Sequence, residues 1–197
     1  MSPSKIVITG TIASGKSTLV GLINELGFRV ISADDVNRKL LEPGSINYEA
    51  IKNSHLYDEA FIGDELDKKK LAQIIFKDKD KLLQLNRLTH RNILDDIDRQ
   101  ANALDDKVVF IEIPLYFQME EKYEADEVWL VVADYDTQLT RLMDRDGIDL
   151  SYAKQKIETQ ENLIDMKEGA DIVFDNSTSV RDLMRDLKNV LESKDLI

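Results

Sequence analysis

One eight-residue segment of this chain states its chemistry outright: Gly10-Thr11-Ile12-Ala13-Ser14-Gly15-Lys16-Ser17, of the form GxxxxGK[ST]. It follows the apolar run Ile6-Val7-Ile8 and precedes a helical pattern, the context in which such a loop grips a polyphosphate. A strand ending in a glycine-rich turn that feeds a helix N-terminus aims backbone N–H groups, and the positive end of the helix dipole, at one point. Gly10 and Gly15 permit conformations and close approaches that a Cβ blocks. Lys16 can reach terminal phosphates, and the Ser17 hydroxyl suits Mg²⁺. With Gly near 7% of average composition, a chance match arises in only about one per cent of chains this long. Chance is therefore set aside.

Further residues have types and places that suit phosphoryl transfer. Asp34 follows the second expected strand, at the sheet edge where open α/β folds bind ligands. It reads either as a helix cap or as a carboxylate that accepts a proton from an attacking hydroxyl. Glu112 ends a strongly apolar strand, as a Walker B acid would, and reads as a solvated strand-end acid or as the holder of a water on Mg²⁺. Arg141 and Arg145 lie four apart on a helix whose other face carries Leu139, Leu142 and Met143, so they are expected to stack on one exposed side. There they either solubilise the surface or neutralise a transferring phosphoryl group. His55 and His90 are too isolated for metal-ligand spacing, and Lys68-Lys69-Lys70 is either a solvated helix face or a contact for substrate phosphate.

Alternating strand and helix periods must position these residues, the pattern of a parallel sheet covered by helices. Strands are expected at Lys5 to Thr9, Phe28 to Ile31, Val108 to Ile113, Val128 to Val132 and Ile172 to Phe174. The third and fourth are apolar on both faces, as central parallel strands are. Helices are expected from Lys16 to a stop at Gly27, from Ser32-Ala33-Asp34-Asp35 to Glu42-Pro43-Gly44, at Asp136 to Arg145, at about Leu150 to Ile164, and from Val180 on. The stretch from Ile46 to about Asp106 reads as wholly helical, since it lacks strand-like alternation and proline. It is longer than a crossover needs, which suits a small substrate subdomain.

The 197 residues suffice for one ordinary domain with an insertion. Asp and Glu number 38 against 26 Lys and Arg, and the net charge of −12 argues against general nucleic-acid or anionic-membrane binding. Any anionic ligand must be held locally. The absence of cysteine excludes disulfides, thiolate metal sites and thiol catalysis. With no apolar signal region at the start and no membrane-length apolar run, a cytoplasmic soluble protein is the expectation.

Taken in order, these residues resemble the dephospho-coenzyme A kinase family, which phosphorylates the ribose 3′-hydroxyl in the last step of coenzyme A synthesis. The resemblance runs through Thr9-Gly10 and Gly15-Lys16-Ser17-Thr18, then Ala33-Asp34, Glu42-Pro43-Gly44, Leu85-Asn86 and His90. It continues with Pro114-Leu115, Gln138-Leu139, Arg141, Arg145, Gln160, Ala170-Asp171 and Asp175-Asn176. Only the phosphate loop is specific alone; the order and spacing of the rest carry the match.

The resemblance implies an α/β P-loop NTPase fold, nucleoside-monophosphate-kinase-like, with a five-stranded parallel sheet, flanking helices, a helical coenzyme A subdomain at about 46–106 and a lid at about 136–166. It implies Asp175 and Asn176 near the adenine of ATP and Asp34 as general base; the loop and the strand-end acid themselves point to ATP on Gly10 to Thr18 and Mg²⁺ at Ser17 and Glu112. It further implies Lys16, Arg141 and Arg145 on the transferring group, and Asp34, Lys68, His90, Pro114 and Leu115 at the acceptor. Ser32, Lys68, Arg91, Glu112 and Gln118 depart from the family's usual residues, mostly on the acceptor side. The other readings are a different small-molecule kinase of the same fold, or a nucleotide-binding relative that has lost catalysis. A GTPase would need an Asn-Lys-x-Asp element, which the sequence lacks.

Overall fold

The structure, a computed structural model, describes residues 2–159 and 163–197; Gln160 lies outside them. The elements run β1 (Ser4–Gly10), α1 (Lys16–Glu25), β2 (Val30–Ser32), α2 (Ala33–Leu40), α3 (Ile46–Ser54), β3 (Phe61–Ile62), β4 (Glu65–Leu66), α4 (Lys68–Lys77) and α5 (Lys79–Asn102). They continue as β5 (Val108–Glu112), β6 (Glu127–Val132), α6 (Tyr135–Asp146), α7 (Leu150–Glu158), α8 (Leu163–Glu168), β7 (Ile172–Asp175) and α9 (Val180–Ser193). The chain forms two compact units, Met1–Val30 with Asp105–Ile197, and Ile31–Leu104.

The large sheet has the order β2-β5-β1-β6-β7. β1 pairs in parallel with both β5 and β6, in the registers Ile6↔Phe110 and Ile8↔Trp129, and β6 pairs in parallel with β7. Strands buried on both faces cannot alternate apolar with polar residues, and Val108-Val109-Phe110-Ile111 and Val128 to Val132 are accordingly buried throughout. On one face Ile6, Ile8, Phe110, Trp129, Val131 and Phe174 meet Leu19, Leu22 and Ile23 of α1 and Leu183, Leu187 and Leu191 of α9. Trp129 lies 5.1 Å from Phe110 and 5.3 Å from Phe174, ring centre to ring centre, within the range of favourable aromatic pairs. Its indole N–H donates to Glu127, so burial leaves no donor unmet. On the other face Leu130 and Val132 pack with Met166, Phe117 and Ala170.

The second unit has a core of Ile51, Tyr57, Ala60, Leu71 and Leu85. Asp67 caps α4 by accepting from the amides of Lys69 and Lys70, and Asp78 caps α5 by accepting from those of Asp80 and Lys81. This stretch is not wholly helical. β3 and β4 form an antiparallel hairpin around a two-residue loop, Gly63-Asp64, with Gly63 at φ 61°. A glycine at positive φ in the first loop position is what the tightest hairpins use. Two-residue strands are too short to show alternation, so the dipeptide itself was the available signal.

Smaller differences have local causes. β2 begins at Val30, two residues later than the apolar pattern indicates; the amide of Phe28 donates to Ile23 O of α1, and its ring packs edge-on against Phe110, 5.5 Å away. The single helix expected at about Leu150 to Ile164 is two, α7 ending in Thr159 as its C-cap and α8 starting at Leu163. Among the described residues no helix is long and apolar enough to cross a membrane.

Candidate functional site

The phosphate loop leaves β1 at Gly10 and enters α1 at Lys16. Its backbone is bent twice into the left-handed region, at Ala13 (φ 54°) and Gly15 (φ 84°). Successive residues of this kind turn neighbouring N–H groups inward to make an anion-binding concavity. Gly15 is required twice over, since a Cβ there would also lie 2.1 Å from Asn176 Nδ2. At Gly10 a Cβ would come within 2.8 Å of Ser14 Oγ and 2.9 Å of Val131 O. Among the described residues the amides of Ala13, Gly15, Lys16 and Ser17 have no hydrogen-bond acceptor, whereas Ser14 N donates to Thr11 O and Thr18 N to Gly15 O.

The loop is held from behind by three side chains. Gln138 Nε2 donates to Thr11 Oγ1 (2.7 Å) and to Ile12 O (2.9 Å). Asn176 Nδ2 donates to Ser14 O (2.9 Å), and its own amide is anchored on Val132 O (2.8 Å). Arg141 donates to Ser14 O (3.3 Å) and Asn176 O (3.0 Å). Arg141 therefore does not share an open face with Arg145. It is half-buried against the loop, because helical spacing tells which residues share a side but not what that side meets. Asp175, beside Asn176, accepts from the amide of Ser177 (2.9 Å).

A cavity of about 590 Å³ opens in front of the loop. Gly10 to Ser17 form one wall; Arg145, Lys156 and Thr159 form a polar one; Pro114, Leu115, Phe117, Gln118 and Met166 complete it. Leu115 is largely exposed there, and Pro114 O accepts from Thr9 Oγ1 (3.1 Å), which ties this segment to β1. Lys16 ion-pairs with Glu112 at the end of β5, both side chains being mostly buried. Arg145 makes a two-point contact with Asp146 (2.7 and 3.3 Å), and Lys156 reaches the same carboxylate (3.1 Å). Hydrogen bonds from Arg145, then from Lys156, hold the Asp146 carboxyl at about 2. Ser14 Oγ and Asn176 Oδ1 are buried without a partner among the described residues, and Ser14 lines the cavity.

Within the second unit, Ser32 occupies the N-cap position of α2, so Asp34 is not the cap. Asp34 stands exposed in the first turn with no side-chain hydrogen bond or ion pair among the described residues, while Asp35 pairs with Arg38 (2.9 Å). Lys68 opens α4, exposed, its ammonium 3.5 Å from Arg38 O. His90 lies half-buried on α5, and Arg91 pairs with Asp95 (3.0 Å). Among the described residues no group of three or more His, Asp or Glu is placed to hold a metal ion.

Of the residues singled out from sequence, the cavity brings together Gly10 to Ser17, Pro114, Leu115, Gln118 and Arg145. Lys156, Thr159, Phe117 and Met166 also line it. A lone lysine on an amphipathic helix, or a methionine in a core stripe, carries no local mark of a cavity.

Comparison with known proteins supports one family. The dephospho-CoA kinase family model matches residues 5–182. A dephospho-CoA kinase of Oceanobacillus iheyensis is 37% identical over 193 residues, covering 95% of this chain and 96% of that one. A solved structure of dephospho-CoA kinase from Campylobacter jejuni superposes with a TM-score of 0.69 at 28% identity, covering 95% of each chain. A solved Thermus thermophilus protein superposes with a TM-score of 0.83 at 29% identity, covering 98% of each. With a phosphate loop, a parallel five-stranded sheet and a full-length match in agreement, this chain belongs to the dephospho-CoA kinase family.

Proposed function

We propose that the chain transfers the γ-phosphoryl group of ATP to the ribose 3′-hydroxyl of dephospho-coenzyme A, giving coenzyme A and ADP in the cytoplasm. The observation that carries this reading is the cavity in which the unsatisfied amides of the phosphate loop face Arg145 and Lys156 across an apolar wall. Such a cavity offers donors for a polyphosphate at one end and surface for a nucleoside at the other.

On this reading the triphosphate seats on Gly10 to Thr18, and Lys16 leaves Glu112 for the terminal phosphates. An ammonium moves readily between two anions that lie within its reach, so the ion pair stores Lys16 beside its working position. Arg145 and Lys156 offset charge on the transferring group, the electrostatic part of phosphoryl transfer. Asp34 takes the proton of the attacking 3′-hydroxyl; its carboxylate is exposed and unpaired among the described residues, hence available as a base. Pro114 and Leu115 offer apolar surface to the acceptor, and Lys68 and His90 are further acceptor contacts on this reading. Asp175 and Asn176, outside the lining of that cavity, flank the adenine on this reading.

The oxygen donors Ser17 and Glu112 suit a hard cation such as Mg²⁺, which fits once Glu112 is released from Lys16. When bound, that ion would supply neutralisation of phosphate charge. The reading is tested by incubating the protein with ATP and dephospho-coenzyme A and quantifying coenzyme A directly. Nucleoside monophosphates and shikimate serve as competing acceptors.

A further inference from the structure

Gln138 is buried on α6 and is not among the residues that line the cavity in front of the phosphate loop. Both hydrogens of its NH₂ group are directed at the loop, one to Thr11 Oγ1 and one to Ile12 O. The second contact matters most. In a trans peptide the C=O and the following N–H point in opposite directions. A donor that fixes Ile12 O from behind therefore turns the Ala13 amide forward, and Ala13 is held at φ 54°. The same logic repeats two peptides along, where Arg141 and Asn176 fix Ser14 O and so turn the Gly15 amide forward.

We propose that Gln138 is a positioning residue for phosphoryl transfer, acting through the Ile12–Ala13 peptide on the donor nucleotide and through α6 on Arg145. Gln138, Arg141 and Arg145 stand at i, i+3 and i+7 on one face of a single helix. The first two dock that face on the loop at two points, which fixes both the rotation and the axial placement of α6. Arg145, one turn beyond, is thereby delivered to the cavity wall. A loop amide and a cation on the opposite wall are thus set by the same helix face, and loss of the first contact loosens both. The inference rests on the kinase reading but involves no residue that touches the acceptor.

The test uses two variants of the full chain. Q138M keeps the size and removes both donors; Q138E keeps the shape and restores one donor only when its carboxyl is protonated. Affinity for a nonhydrolysable ATP analogue, read by titration calorimetry, is expected to fall about tenfold in Q138M, the effect of losing one or two neutral hydrogen bonds. The kcat for coenzyme A formation is expected to fall further than the change in KM for dephospho-coenzyme A. A carboxyl facing a carbonyl and excluded from water has its pKa raised, so the ratio of Q138E to wild-type activity rises as pH is lowered from 8 to 6. The ratio for Q138M stays flat. Wild-type nucleotide affinity and kcat in folded Q138M, or a flat ratio for Q138E, overturns the assignment. If the wild type forms no coenzyme A, the kinase reading fails, and the calorimetric series still decides the role of Gln138.

Discussion

The ammonium of Lys16, in the phosphate loop, is seated on the carboxylate of Glu112 at the end of β5. β1 and β5 are adjacent parallel strands, and the register Ile8↔Glu112 sets the acid beside the strand that launches the loop. The pair is mostly withdrawn from water, with side chains 16% and 18% exposed. Removing one partner therefore leaves a poorly solvated charge, while nucleotide phosphates offer Lys16 a replacement.

The E112Q variant is accordingly expected to be less stable than wild type by about 1–3 kcal/mol. It should recover a larger share of melting temperature than wild type when a nonhydrolysable ATP analogue is added without Mg²⁺. Equal melting temperatures without ligand, and equal ligand shifts, would show that the pair does no energetic work. The K16A variant should abolish turnover while remaining folded.

Gly15 and Gly27 separate strain from crowding. Both sit at positive φ, 84° and 89°, but only at Gly15 does a Cβ meet another group. Backbone strain alone costs about 1–3 kcal/mol. G27A should therefore lower stability within that range and keep ATP-analogue binding, whereas G15A should lose binding altogether because Asn176 must be displaced. Calorimetric titration of both variants checks this.

Asp34 and Asp35 are adjacent in the first turn of α2, yet only Asp35 has an ion-pair partner among the described residues. D34N is expected to lower kcat by about 10²- to 10⁴-fold with nucleotide affinity intact, the range for a lost general base. D35N should leave kcat within a factor of about two, since an exposed i,i+3 pair contributes little. Steady-state kinetics of the two variants decides between them, and near-normal turnover in D34N would remove Asp34 from the mechanism.

Asp146 gives a pH signature. Its carboxyl is held at about 2 by Arg145 and Lys156, against an ordinary 3.8. A carboxyl with a depressed folded value contributes stability that is present above the unfolded value and lost as pH falls through the folded one. The difference in urea midpoint between wild type and D146N should therefore be full at pH 5 and shrink steadily from pH 3.8 towards 2. A difference independent of pH would contradict the pairing.

The phosphate loop was legible in the sequence because its geometry depends on residues that few others can replace. Gly10 and Gly15 mark a close approach and a left-handed turn, and both are found where expected. The central strands were legible for a related reason, since burial on two faces demands unbroken apolar runs such as Val108 to Ile111. The placement of Arg141 is not legible in the sequence, because its partner, the Ser14 carbonyl, lies 127 residues away and is a backbone atom without a signature. The hairpin at Phe61 to Leu66 is too short to leave a periodic signal. Lys156 carries no sequence mark because only the fold brings α7 to the cavity. What the sequence encodes locally is the donor loop; the walls around it are products of packing.

The central claim is that this cavity serves phosphoryl transfer from ATP to dephospho-coenzyme A. The most direct measurement is chromatographic quantification of coenzyme A and ADP formed from those two substrates by the wild-type protein, with K16A as the blank. The account predicts stoichiometric formation of both products by the wild type and none by K16A. ADP without coenzyme A, or preferential phosphorylation of a nucleoside monophosphate or shikimate added in competition, would contradict it.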